Sequence, residues 1–277
     1  MRFLHFILSH SIFIAFCAVG LCYQTALVLH IHSDLNLFAF VFLSTICSYN
    51  FYWLLSKFYF TNRIIGVDFI KQHISFFTLF VVSLIGTFYF IYKVPFIIPF
   101  ALLGVCFTLL YSLPLWPFSF AKKLQKVGFF KTVLLAFTWA YITTILPAID
   151  LLQTNIIAVC VLLSARFCLM LLLCIIFDKR DISVDKSHGL HSLATDTPEK
   201  TLNTIIHLVF IAYFVIGLLL RYHFNDKPQM FAFLITGGFV WWVHTLSLKK
   251  QGYLFYYFLV DGLMLVSAVG SFIATFF

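Results

Sequence analysis

The sequence predicts an all-α polytopic membrane protein, a bundle of about nine transmembrane helices. Three observations lead there. Of the 277 residues, 62% are hydrophobic and 10% are charged, against about 25% charged in a soluble domain, so the chain cannot cover itself with a water-facing surface. The apolar residues come in continuous runs of roughly 20, the length of helix that crosses hydrocarbon, and not in the alternation of a membrane strand. The cationic residues collect in the gaps between those runs, mostly in every second gap.

The spans follow in order. The run 8–29 is too long for a secretion signal and shows no small-residue cleavage site, so it is expected as a retained anchor. The runs 35–56 and 74–92 flank the polar stretch 57–73. The run 95–114 is joined to 74–92 only by Lys93-Val94-Pro95, a tight turn. The runs 128–149 and 154–177 lie between the polar segments 115–127 and 178–201, and 202–221, 230–247 and 253–275 complete the nine. The whole of 1–277 reads as a single membrane domain, with no soluble module or long linker.

Charge tests this count. With nine spans, the N-terminus and the gaps after even-numbered spans carry 14 Lys and Arg, and the other side carries 3. Positive charge stays in the cytoplasm, so the N-terminus and the three longest loops are expected there, with the C-terminus opposite, in a bacterial-type inner membrane. The net charge of +8 needs no nucleic acid, because cationic loops facing anionic membrane lipid account for it. The seven cysteines all lie in spans without a Cys-X-X-Cys pair and read as small apolar packing residues.

Polar residues inside or just past the spans are the candidates for chemistry. Asp178, Asp181 and Asp185 follow the sixth run at spacings of three and four, which puts them on one face if the helix continues. Convergent carboxylates at a membrane surface can hold a hard cation such as Mg²⁺, and the cation can hold a diphosphate. The same three are also readable as solvated residues balanced by Lys179, Arg180 and Lys186. Arg166 is the lone cation deep within a span, Lys131 and Arg221 standing at span ends, and either lines a cavity or pairs internally. Lys122, Lys123 and Lys126 read as ligands or as topology determinants, and Asn50 as a polar cavity residue or as glue between helices. His188 and His191 lack a third ligand for zinc. Asp261 is a pocket residue or a partner for a neighbouring helix.

The stretch Arg180-Asp181-Ile182-Ser183-Val184-Asp185, then Gly189, then Ser192-Leu193-Ala194, resembles the second aspartate motif of UbiA-type intramembrane prenyltransferases. Asp178 supplies the extra upstream carboxylate. Tyr111-Ser112 with Lys122-Lys123 is similar to the family's basic loop after span four, and Trp139-Ala140 with Leu146-Pro147 resembles its fifth span. The resemblance implies a bundle around a central cavity, with two aspartate motifs facing each other across it that bind Mg²⁺, which grips a polyprenyl diphosphate donor. The prenyl group then passes to a lipophilic or aromatic acceptor. It further implies Asp178, Asp181 and Asp185 as metal ligands, Asp181, Asp185 and Arg180 at the reacting centre, and Asn50, Lys122, Lys123 and Arg166 around the bound diphosphate. The chain departs from the pattern at the first motif: Asn50 is kept, but Phe51, Leu54 and Phe58 stand in the carboxylate places. That departure leaves a second expectation, a non-catalytic membrane protein of this fold that binds an isoprenoid lipid or serves as a scaffold. A transporter fits less well, for want of an internal repeat or paired broken helices.

Overall fold

The computed structural model describes residues 2–61, 67–112, 128–187, 189–224 and 226–277. Among them the principal elements are α1 (Arg2–Ser9), α2 (Ile12–Val28), α3 (Leu35–Thr61), α4 (Val67–Gln72), α5 (Ile74–Lys93), α6 (Ile98–Ser112), α7 (Gly128–Thr144), α8 (Ile156–Ser187), α9 (Glu199–Phe224), α10 (Lys227–Ser247) and α11 (Asp261–Ala274). No strand occurs among the described residues. Among the described residues, seven helices are long and apolar enough to cross a membrane, and the bent pair α1–α2, taken as one span, gives an eighth. Helix α7, at 17 residues about 26 Å long, stands at the fifth expected span, 128–149. The chain is an integral membrane protein of all-α class.

Each expected span coincides with a helix, and the differences have local causes. The first span is broken: α1 and α2 meet at 65°, with Ser11 in the left-handed region at φ 64°. Helix α7 stops at Thr144, short of the expected 149, because Pro147 lacks an N–H and disfavours helical geometry in the residue before it. Helix α6 is entered through a 3₁₀ turn at Pro95–Ile97, where proline at the first position costs no hydrogen bond. The sixth span runs ten residues beyond 177, so α8 carries the acidic stretch as continuous helix. The last begins as a π-helical turn, Phe255–Val260, before α11.

The chain divides into two compact units, 1–19 with 34–125 and 20–33 with 126–277. In the first, α3 packs along α5. Gly86 permits the approach, since a Cβ there would stand 2.6 Å from Leu43 Cδ1. Aromatic rings close the same seam: Trp53 stacks on Phe76 at 3.7 Å, and His10 lies between Phe6 and Phe76 at 4.1 and 4.2 Å. In the second unit α8 is the central helix, flanked by α7 and α9, and α10 packs on α11. Gly237 of α10 lies against the rings of Tyr213 and Phe214, where a Cβ would come within 2.9 Å.

Among the described residues, Arg166 is the largest fully buried side chain, 1% exposed in the N-terminal half of α8. Its Nη1 donates to Leu21 O at 3.0 Å and Thr143 Oγ1 at 3.1 Å, and its Nη2 to Gln24 Oε1 at 2.9 Å and Thr25 Oγ1 at 3.4 Å. Gln24 Nε2 in turn donates to Ser267 Oγ at 3.0 Å and Ser271 Oγ at 2.8 Å. Segments of α2, α7, α8 and α11 are thus tied by one polar network at membrane depth, where each member has few alternatives to its protein partners.

Candidate functional site

The acidic end of α8 is shaped by its own termination. Gly189 has φ +65°, the left-handed geometry that glycine adopts without steric cost. Leu190 N–H donates to Asp185 O at 2.9 Å and Gly189 N–H to Lys186 O at 3.3 Å, the paired bonds of a Schellman stop. The chain reverses there and returns through Ser192, which caps the single helical turn Leu193–Asp196. Ser192 Oγ accepts from Thr195 N–H while Thr195 Oγ1 accepts from Ser192 N–H, a reciprocal capping box.

This returning segment docks on the start of α7. Gly128 N–H donates to Asp196 Oδ2 at 3.0 Å, and a Cβ at Gly128 would stand 2.4 Å from Ser192 N. His191 Nδ1 lies 2.6 Å from Asp196 Oδ1. A carboxylate only accepts, so Nδ1 carries the proton. One turn further along α7, Thr132 Oγ1 accepts from Leu193 N–H at 3.0 Å and donates to Asp178 Oδ2 at 2.5 Å. The glycine and the serine-leucine pair of the acidic motif therefore have structural work: they fold the segment after α8 onto α7.

The three aspartates share the last turns of α8 but have different surroundings. Asp178 is half-buried and takes the Thr132 hydroxyl. Asp181 is gripped by Arg180, whose Nε and Nη2 donate to its two oxygens at 2.7 and 2.6 Å. Asp185 is half-exposed one turn on, next to the glycine stop. The Arg180 guanidinium lies over three rings, with centroids at 4.9 Å for Phe177 and 5.0 Å each for Tyr256 and Tyr257. The two tyrosines come from the π-helical turn, a rare geometry frequent at functional sites. Tyr253, just before the last span, stacks on Tyr257 at 4.4 Å, and burial pushes its phenol above the usual range. Asp261, directly after the π turn, is 6% exposed.

Among the described residues, no three His, Cys, Asp or Glu side chains are grouped so as to hold a metal ion. As placed, the three carboxylates are not gathered into one Mg²⁺ cage: Asp178 faces the Thr132 hydroxyl and Asp181 the Arg180 guanidinium. Arg166 sits on the same helix 12 residues before Asp178, about 18 Å away, inside its own network and apart from the acidic end. Asn50 lies in the other compact unit, 1% exposed. Its Nδ2 donates to Ile46 O at 2.8 Å and to His10 O at 3.2 Å, so it braces α3 against the α1–α2 break. Lys122, Lys123 and His188 lie outside the described residues. Thr132, Asp196, Tyr256 and Tyr257 were not singled out from the sequence. Adjacent tyrosines four and five residues before a buried aspartate were the one available sign of the last pair.

The architecture defines the class: an all-α, polytopic membrane protein with an acidic, glycine-stopped helix end. No family model matches the sequence, and no curated protein matches it. Among solved structures, the chain is similar to the apo form of a UbiA homologue from Aeropyrum pernix K1, with TM-score 0.67, 12% identity, and 97% of this chain and 98% of that chain covered. At that identity the likeness establishes the fold: the chain has the UbiA-type fold over nearly its whole length.

Proposed function

We propose that the chain binds a polyprenyl diphosphate within the membrane and transfers its prenyl group to a lipophilic or aromatic acceptor. The observation that supports this most is the UbiA-type fold across 97% of the chain, together with the acidic motif at the end of α8. In this reaction the allylic carbon–oxygen bond breaks, a carbon–acceptor bond forms, the acceptor gives up the proton it carried at that position to water or to the released diphosphate, and diphosphate leaves. Arg180 is the cation at the acidic end suited to meet a leaving diphosphate, because its planar fork matches phosphate oxygens. No step is assigned to a metal ion, since the carboxylates are not gathered into one cage.

A second reading, binding without transfer, is favoured by the first motif: Phe51, Leu54 and Phe58 supply no carboxylates to oppose those of α8. The two readings separate in one assay. Purified protein is incubated with labelled prenyl diphosphates and a membrane extract, with and without Mg²⁺. Pyrophosphate release with a prenylated product supports transfer. Binding without release supports the second reading, and neither binding nor release sinks both.

The proposed setting is a bacterial-type inner membrane with the acidic end of α8 on the cytoplasmic side, from the 14-to-3 charge bias. Single cysteines at Ser187 and Asp226 should react with an impermeant reagent from opposite faces, Ser187 from the cytoplasm. Labelling of both from the same face would overturn this topology.

A further inference from the structure

We infer that the Arg180 guanidinium is a preformed fork for the diphosphate head of the ligand, and that Asp181 is its built-in occupant until a diphosphate displaces it. This rests on the proposed isoprenoid diphosphate ligand and adds how the site for it is kept closed. Successive side chains on a helix diverge and do not face each other. Arg180 nevertheless closes two bonds, 2.7 and 2.6 Å, on its own neighbour Asp181. Something other than helix geometry must therefore hold the guanidinium, and three rings lie within 5.0 Å of it. Phe177 comes from the preceding turn of α8, and Tyr256 and Tyr257 from the π-helical turn, with Tyr253 stacked on Tyr257.

Rings that take the face of a guanidinium leave its in-plane N–H groups free to work, and that fork fits a carboxylate or a phosphate alike. Asp181 is then a monoanion in a site whose geometry also suits a diphosphate of higher charge. The pair is partly exposed, 24% for the arginine and 37% for the aspartate. Water screens the pair although its geometry is bidentate, so Asp181 can exchange its partner for water when a stronger anion competes for the fork. A diphosphate thus gains the fork by displacing a solvent-screened monoanion. The rings keep the fork in place during the exchange.

The consequence is opposite in sign to that of a metal cage: removing the Asp181 charge should strengthen anion binding. Calorimetry on the full chain in detergent, with EDTA present, decides it, using inorganic pyrophosphate and geranylgeranyl diphosphate as separate probes. Asp181→Asn should bind pyrophosphate about fivefold more tightly than wild type, the range of one exposed ion pair. Arg180→Gln should lose the binding, Arg180→Lys should keep only part of it, and Tyr257→Leu should weaken it with the thermal midpoint little changed. Asp181→Asn binding pyrophosphate equally or more weakly overturns the inference, as does absence of pyrophosphate binding by both forms. If Asp181→Asn gains pyrophosphate affinity while no form binds the prenyl diphosphate, the fork stands and the isoprenoid reading falls. If wild type binds the prenyl diphosphate and Asp181→Asn gains nothing, the isoprenoid reading stands and the fork falls.

Discussion

Arg166→Leu should destabilise the protein by about 4 kcal/mol, as expected when one member of a buried, charge-assisted network is removed. The guanidinium is 1% exposed and donates to four acceptors on α2 and α7. Leucine fills part of the volume but removes the charge-assisted bonds to Gln24 Oε1 and Leu21 O, leaving Gln24 Oε1 the longer bond from Ser267 Oγ at 3.3 Å and Leu21 O within 3.1 Å of the Thr25 hydroxyl. The two threonine hydroxyls lose less. Thr25 Oγ1 still donates to Thr143 O at 2.7 Å, and Thr143 Oγ1 to Trp139 O at 2.7 Å. Arg166→Lys should recover about half of the loss, because an ammonium keeps the charge but cannot span acceptors on two helices. The midpoint of unfolding in a denaturing-detergent titration measures both. An Arg166→Leu protein within about 1 kcal/mol of wild type would show that the network is not what ties these helices together.

Gly128→Ala should cost about 3 kcal/mol, at the upper end of overpacking penalties. Alanine is the better helix former by about 1 kcal/mol, so propensity alone predicts the opposite sign. The new Cβ would meet Ser192 N at 2.4 Å, Ser192 O at 2.5 Å and Asp196 Oδ2 at 2.5 Å. Two of these are backbone atoms that no rotamer change can move. The returning segment must lift, and the Gly128–Asp196 and Leu193–Thr132 bonds go with it. Thr132 then loses its place opposite Asp178. Loss of thermal stability should come with faster proteolysis between residues 188 and 198. A Gly128→Ala protein that unfolds at higher temperature than wild type would mean that the segment does not dock as described.

The fold was legible because continuous apolar runs and charge bias are summed over many residues, so a single misleading position does not alter them. The breaks were less legible. Ser11 interrupts the first span without a proline or glycine, and the π turn at Phe255–Val260 has no sequence punctuation. Such local geometries differ from helix by little energy and are decided by packing. At the site, spacing put Asp178, Asp181 and Asp185 on one face only on condition that the helix continued past 177; it does, to Ser187. Spacing could not supply their partners. Thr132 comes from 46 residues upstream, and the tyrosines over Arg180 arrive from a different helix altogether. Arg166 illustrates the same limit. Its burial follows from its position in an apolar run, whereas its acceptors lie up to 145 residues away.

If this UbiA-type fold holds an isoprenoid diphosphate in the membrane, thermal-shift titration of the purified protein with prenyl diphosphates of increasing chain length should show it. Saturable stabilisation that strengthens with tail length is the expected result, since an apolar tail adds buried surface to the contacts of its head group. No stabilisation by any prenyl diphosphate, with or without Mg²⁺, would rule out an isoprenoid diphosphate as the ligand.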